Sequence, residues 1–215
     1  MGTSRLEQIP QVLQSVISYK PQSVLDVGVG CGKYGLLLRE YLEGWEKSPS
    51  QILCAGQRTL RVDGVEVFPE AITPVHKLLY DNIIVGDIAN VCHDIGDYDV
   101  IMMIDVIEHL EKSVAMKTLQ TLLPKVKKGI IISTPADDMP QDPLYGNEHE
   151  RHVSVWSPAD FASLNHVQTM IHDEQLMVAI STGVTHNSAM YEWKVKSGVL
   201  WPVRRLWWSI QRKRH

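Results

Sequence analysis

Short apolar, β-branched runs alternate along this chain with stretches whose apolar residues recur at helical spacing. The opening stretch places Leu6, Ile9, Val12, Leu13, Val16 and Ile17 on one stripe of a covering helix, and Pro21 ends it before a first strand, Ser23-Val24-Leu25-Asp26-Val27. A glycine-rich turn comes next, then a helix predicted from about Lys33 to Glu43. A polar insertion near 44–58 leads to a second strand over about Arg61 to Val67. A helix starting with proline is predicted from Pro69 to about Tyr80, followed by a third strand at Ile83-Ile84-Val85. The almost wholly apolar run Tyr98 to Ile104 predicts a central strand buried on both faces. Beyond it the pattern predicts a helix over Ser113 to Val126, a strand over Gly129 to Ser133, and a long polar loop carrying Asp137, Asp138, Pro140 and Pro143. Ser157 as N-cap and Pro158 as first helical residue predict a further helix start. Leu176 to Ser181 and Ala189 to Val195 have no helical pattern between them and predict a closing antiparallel hairpin.

This alternation is that of an α/β domain with a largely parallel sheet, and 215 residues suit one such core. One domain over 1–196 and a terminal segment over 197–215 are predicted. With 44% apolar and 21% charged residues the composition excludes collagen-like and disordered classes. No apolar run reaches the roughly 20 residues that span a bilayer. Arg5, Glu7, Gln8, Pro10 and Gln11 break up the first twenty positions, which speaks against a secretory leader and for a cytoplasmic protein. Cys31, Cys54 and Cys92 show no CxxC spacing, so reduced thiols are expected rather than disulfides or a zinc site.

The glycine turn is the most specific feature. A phosphate-cradling loop ending at Gly32-Lys33 would need glycine at 27 and Ser or Thr at 34, where this chain has Val27 and Tyr34. A dinucleotide fingerprint starting at Gly28 would need glycine at 33, where this chain has Lys33. The string DVGVGCG, residues 26–32, resembles instead the acidic-x-Gly-x-Gly-x-Gly motif of class I S-adenosylmethionine-dependent methyltransferases. A glycine turn serving tight packing alone is the bland alternative.

The resemblance implies a Rossmann-like fold, a mixed seven-stranded sheet with helices on both faces, and S-adenosylmethionine as cofactor. It sets Gly28, Gly30 and Gly32 beneath the cofactor's methionine and ribose portions, and lets Asp26 hydrogen-bond within the turn or to the cofactor's amino end. Glu66, at the second strand's end, would accept from the ribose hydroxyls, with Asp63 as substitute in a shifted register. Asp87 and Ile88, after the third strand, would meet the adenine, and Asp105 ends the fourth strand beside the cofactor. The string DVIEHL, residues 105–110, resembles small-molecule and quinone-type members, and puts Glu108 and His109 at the start of the next helix, toward the substrate.

An activated sulfonium methyl asks the protein mainly to align an acceptor and, where needed, to remove a proton. His152, then His109, are the preferred bases, with His149 a third candidate and Glu108 orienting one of them or acting itself. His149 and His152 are three residues apart, which fails the four-residue spacing of a zinc HExxH motif, so no metal site is expected; magnesium on Glu108, Asp137 or Asp138 is the variant compatible with oxygen ligands. The acceptor is a small molecule, lipid-like compound or saccharide. A nicotinamide-dependent oxidoreductase and a non-catalytic cofactor-binding scaffold are the competing functions.

Charge is sorted along the chain. Residues 193–215 hold seven of the 21 basic residues, none of the 25 acidic ones, and Trp193, Trp201, Trp207 and Trp208. A mildly acidic body predicts no specific nucleic-acid partner. The basic aromatic end predicts a helix that docks on this domain or on a second subunit, or that contacts an anionic membrane surface.

Overall fold

The computed structural model describes residues 4–182 apart from 45, 46, 49, 52–54 and 145. Seven strands form one sheet: β1 (Ser23–Val27), β2 (Arg61–Glu66), β3 (Asn82–Val85), β4 (Tyr98–Ile104), β5 (Val126–Pro135), β6 (Val167–His172) and β7 (Gln175–Ser181). Their order is β3-β2-β1-β4-β5-β7-β6, parallel except where β7 pairs with β5 and β6. The helices are α1 (Ile9–Ser18), α2 (Lys33–Glu43), α3 (Pro74–Leu79), α4 (Ile88–Val91) and α5 (Lys112–Leu122).

The alternation of each strand divides the core into two layers. Val24, Val100, Met102 and Ile131 pack with Val12 and Val16 of α1 and Leu38 of α2. Leu25, Ile101, Met103, Ile130 and Ile132 face the other way, onto Ala115, Leu119 and Leu122 of α5. Every residue of β4 is buried, which is why its sequence is apolar apart from Asp99 near its start. The strand order reverses between β1 and β4, and such a switch point opens a crevice at the strands' carboxyl ends.

Four local readings change. The helix predicted over 69–80 is a 3₁₀ turn, Pro69–Ala71, followed by α3, because Pro74 forces Thr73 into an extended conformation and restarts the helix. The helix predicted through Val126 stops at Leu122, with a 3₁₀ turn around Pro124. The Ser157 cap is present, its box closed by Asp160, but it opens only a 3₁₀ turn, Pro158–Phe161. The closing hairpin is present, yet β7 pairs with β6 ahead of it through Asp173 and Glu174, both at positive φ, a turn that no glycine announces. Residues 189–195, the predicted partner, lie outside the described residues, as does the basic aromatic segment 197–215. α4 was not anticipated, being a single turn capped by Asp87.

One buried ionic cluster ties the sheet edge to α2. Arg39, with no exposed surface, donates to Leu79 O at 2.9 Å, to Leu60 O, to Glu43 at 3.0 Å and to Asp81 at 2.8 Å. Glu43 also accepts from the Leu60 amide at 3.0 Å and from Lys47 at 3.2 Å. No helix among the described residues is long and apolar enough to cross a membrane.

Candidate active site

The turn from β1 to α2 carries Gly28, Gly30 and Gly32 at φ 77°, 53° and 83°, a left-handed conformation that side chains disfavour. A Cβ on Gly28 would also meet the Val106 side chain at 2.8 Å. Backbone conformation and packing therefore account for these glycines before any ligand is considered. Two residues from α3 and its exit brace the turn. His76 accepts the Thr73 amide on Nδ1, at 3.0 Å, so its Nε2 carries the proton donated to Gly30 O at 2.9 Å. Tyr80 donates to Asp26 at 2.6 Å and accepts from the Gly35 amide at 3.2 Å. Asp26 is buried, and loss of solvent pushes its carboxyl up to about 7 despite the Tyr80 hydroxyl.

A cavity of about 670 Å³ opens above the turn at the carboxyl ends of the strands. Val27 to Cys31 form its floor, with Glu66, Asp87 and Ile88 along one side. Glu66 is buried and accepts one backbone amide on each oxygen, Phe68 at 2.9 Å and Gly30 at 3.3 Å. A carboxylate has about four acceptor positions, so both oxygens keep capacity for a diol. Burial raises the Glu66 pKa, against the pull of those amides. Asp87 spends one oxygen on the Ala89 amide at 2.9 Å, capping α4, and still lines the cavity.

The far end of the cavity is lined by Asp105, Glu108, His109, Asn147, His149, His152 and Gln175. Asp105 sits at φ 53°, a turn conformation that aspartate tolerates better than most residues. Gln8, from the turn before α1, donates to Asp105 Oδ2 at 2.7 Å and accepts from Ser133. Glu108 and His109 lie in a 3₁₀ turn, Ile107–His109, rather than at the start of a helix. Glu108 O accepts the amides of Val153 at 2.8 Å and Ser154 at 3.1 Å, so the loop after β5 is stitched to that turn by its backbone. Buried Trp156 secures the same stitch, donating to Ser154 Oγ at 2.8 Å and Ile107 O at 3.2 Å.

The stitch brings His152 against His109, their ring centroids 4.9 Å apart. His109 Nδ1 contacts Arg151 O at 3.1 Å and His152 Nδ1 contacts Met139 O at 2.6 Å. Carbonyl oxygens only accept, so each Nδ1 bears a proton. Burial lowers the His109 pKa, favouring the neutral ring. Glu108 is 2% exposed, and neither of its oxygens has a hydrogen-bond partner of acceptable geometry among the described residues, the Thr134 hydroxyl being the side chain close enough to favour its charged form. Burial, then the neighbouring Asp105, raises its pKa well above the usual carboxylate range.

A family model described as a methyltransferase domain matches residues 5–168. This chain belongs to that methyltransferase family. The fold is that of class I members, for which S-adenosylmethionine is the cofactor, and the cavity's residues fit it: a turn of exposed backbone, a buried carboxylate with free acceptor positions, and a strand end adjoining a capped helical turn. An O-methyltransferase family protein from Burkholderia thailandensis superposes with a TM-score of 0.56 at 15% identity, over 82% of this chain and 56% of that one. This chain thus spans just over half of that relative. A SAM-dependent methyltransferase from Archaeoglobus fulgidus gives 0.55 at 14% identity, over 80% and 91% of the two chains. The N-terminal domain of EvdMO1, solved with SAH bound, gives 0.55 at 15% identity, over 83% and 81%. At these identities the likeness is one of fold. No curated protein matches the chain.

In this methyltransferase the structure brings Gly28, Gly30, Glu66, Asp87, Ile88, Asp105, Glu108, His109, His149 and His152 to one cavity. Asp26 and Gly32 lie behind its wall, supporting the turn. His149 is exposed at the rim, its amide bonded to Asn147. Asp137 and Asp138 line a smaller pocket of about 200 Å³ that shares Glu108 and His152. Sequence reasoning missed Gln8, His76 and Tyr80. Gln8 left a trace, a polar residue four before Val12 on the buried face of the amphipathic stretch; His76 and Tyr80 left none, since their partners lie 46 and 54 residues away.

Proposed function

We propose that this methyltransferase acts on a small acceptor of metabolite, saccharide or lipid-headgroup type, bound at the Glu108, His109 and His152 end of the cavity. The cofactor supplies a methyl on a positively charged sulfur, so transfer to an acceptor leaves the sulfur's bonding pair behind and needs no further activation of the methyl. The chain's part is placement and proton handling. The glycine turn and Glu66 hold the nucleoside side, while Gln8 fixes Asp105 at the junction with the acceptor end. The observation that supports the reading best is the pair of imidazoles, each held by Nδ1 on a backbone carbonyl, that line a cavity shared with the cofactor-binding turn. When the acceptor carries a proton, His152 or His109 takes it on Nε2, the ring being already oriented by its Nδ1 bond.

Calorimetry with S-adenosylhomocysteine, followed by labelled methyl transfer into fractionated metabolites, tests the reading. Binding and labelling are the expected results. His152→Ala should lower turnover by about 10²-fold while leaving S-adenosylhomocysteine affinity close to that of the parent. Affinity for a nicotinamide dinucleotide instead would overturn the reading.

A further inference from the structure

The acceptor end contains more acceptor atoms than the protein satisfies. Asp105 Oδ1, both Glu108 oxygens and Gln175 Oε1 are buried acceptors without a hydrogen-bond partner of acceptable geometry among the described residues, the Thr134 hydroxyl standing close enough to Glu108 only to favour its charged form. Such groups are costly to bury unless something positive or hydrogen-donating meets them. Around Glu108 the surplus is organised: one carboxylate oxygen and one ring nitrogen each from His109 and His152 lie within 4.8 Å of one another. Both imidazoles are tied by Nδ1 to a backbone carbonyl, the outer-shell arrangement that orients histidine ligands. Donors around a first-row ion at about 2.1 Å lie roughly 3–4 Å apart, so side-chain rotations of about an ångström close the set.

We propose that Glu108, His109 and His152 bind one divalent first-row transition-metal ion, and that the acceptor joins it through a hydroxyl oxygen. This rests on the methyltransferase reading and deepens it by naming the acceptor's ligating group. Two imidazoles with one carboxylate suit Mn²⁺, Co²⁺ or Zn²⁺ better than Mg²⁺, which prefers an all-oxygen shell. The set differs from both sequence readings: its two histidines come from different loops, where no HExxH spacing could show them, and it uses neither Asp137 nor Asp138. Three protein ligands leave coordination positions open toward the cavity. A hydroxyl bound there is easier to deprotonate, its proton passing to solvent because the two Nε2 lone pairs are then engaged by the ion.

The test uses the full chain, stripped with a chelator and titrated with Co²⁺ and Zn²⁺ by calorimetry, with the Co²⁺ absorption bands followed in parallel. One ion per chain, with bands typical of nitrogen and oxygen ligation, is expected. His152→Ala, at a half-exposed position, and the isosteric Glu108→Gln should each weaken binding by at least about tenfold. S-adenosylhomocysteine affinity, measured on the same samples, reports folding and the cofactor site separately. No ion uptake, or uptake that neither variant weakens, overturns the metal site and leaves the methyltransferase reading standing with free imidazoles. Ion uptake without S-adenosylhomocysteine binding would instead overturn the functional reading on which the acceptor assignment rests.

Discussion

Glu43 and Glu108 are both buried, and the fold treats them in opposite ways. Glu43 is 5% exposed, and its oxygens accept from the Thr59 and Leu60 amides, Arg39 and Lys47. Burial by itself would raise its pKa, but the two amides and the two cations outweigh it and bring the carboxyl down to about 2. Glu108 has no cation set against it, only its own amide and the Thr134 hydroxyl at poor geometry, and burial together with Asp105 drives it the other way. Where a carboxylate serves the architecture, backbone and cations converge on it; Glu108, buried at a cavity wall without them, is where the proposed ion would supply the missing charge.

The strongest way to break this contrast is to unpair the satisfied cluster. Arg39→Ala leaves Glu43 and Asp81 without their shared guanidinium and two buried carbonyls without a donor, and should cost about 3–5 kcal/mol in urea denaturation. Glu66 is the intermediate case, with one amide per oxygen, and Glu66→Ala should weaken S-adenosylhomocysteine about 10–100-fold by calorimetry, consistent with charge-assisted hydrogen bonds. A smaller effect is steric: a Cβ on Gly64 would collide with Val29 Cγ1, so Gly64→Ala should destabilise by about 1–3 kcal/mol and disturb the turn.

The pH dependence sharpens the comparison further. The folded pKa of Glu43, about 2, lies below the roughly 4.3 of an unfolded glutamate. Its contribution is therefore complete above that unfolded value and is lost as pH falls toward 2. The difference in denaturation midpoint between parent and Glu43→Gln should be largest near neutrality and shrink in acid. The smallest stability effect is expected at Glu108 itself. Glu108→Gln keeps the volume and an oxygen that can still accept from the Thr134 hydroxyl, so the thermal midpoint of ion-free protein should shift by no more than the equivalent of about 1 kcal/mol. A large loss there would show that Glu108 is structural after all.

The sheet was legible because burial on both faces leaves a mark in the residues themselves: β1 and β4 were read to their ends from apolar runs and flanking breakers. β6 was not, since its residues are mostly half-exposed at the sheet edge and mix polar with apolar types. α3 was misjudged because a helical stripe is visible to periodicity, whereas the break at Thr73-Pro74 depends on a single steric restriction.

What the sequence determined by itself was the local chemistry: the glycine turn between β1 and α2, the acidic residues closing β2, β3 and β4, and the pool of histidines. These follow from the conformational freedom of glycine and from where strands must end. The tertiary structure alone decided which of those residues meet. Gln8 reaches Asp105 across 97 residues and His152 reaches His109 only because backbone amides of the loop after β5 bond to Glu108 O. No periodicity encodes such meetings, because they depend on how separate elements pack rather than on the spacing within any one of them.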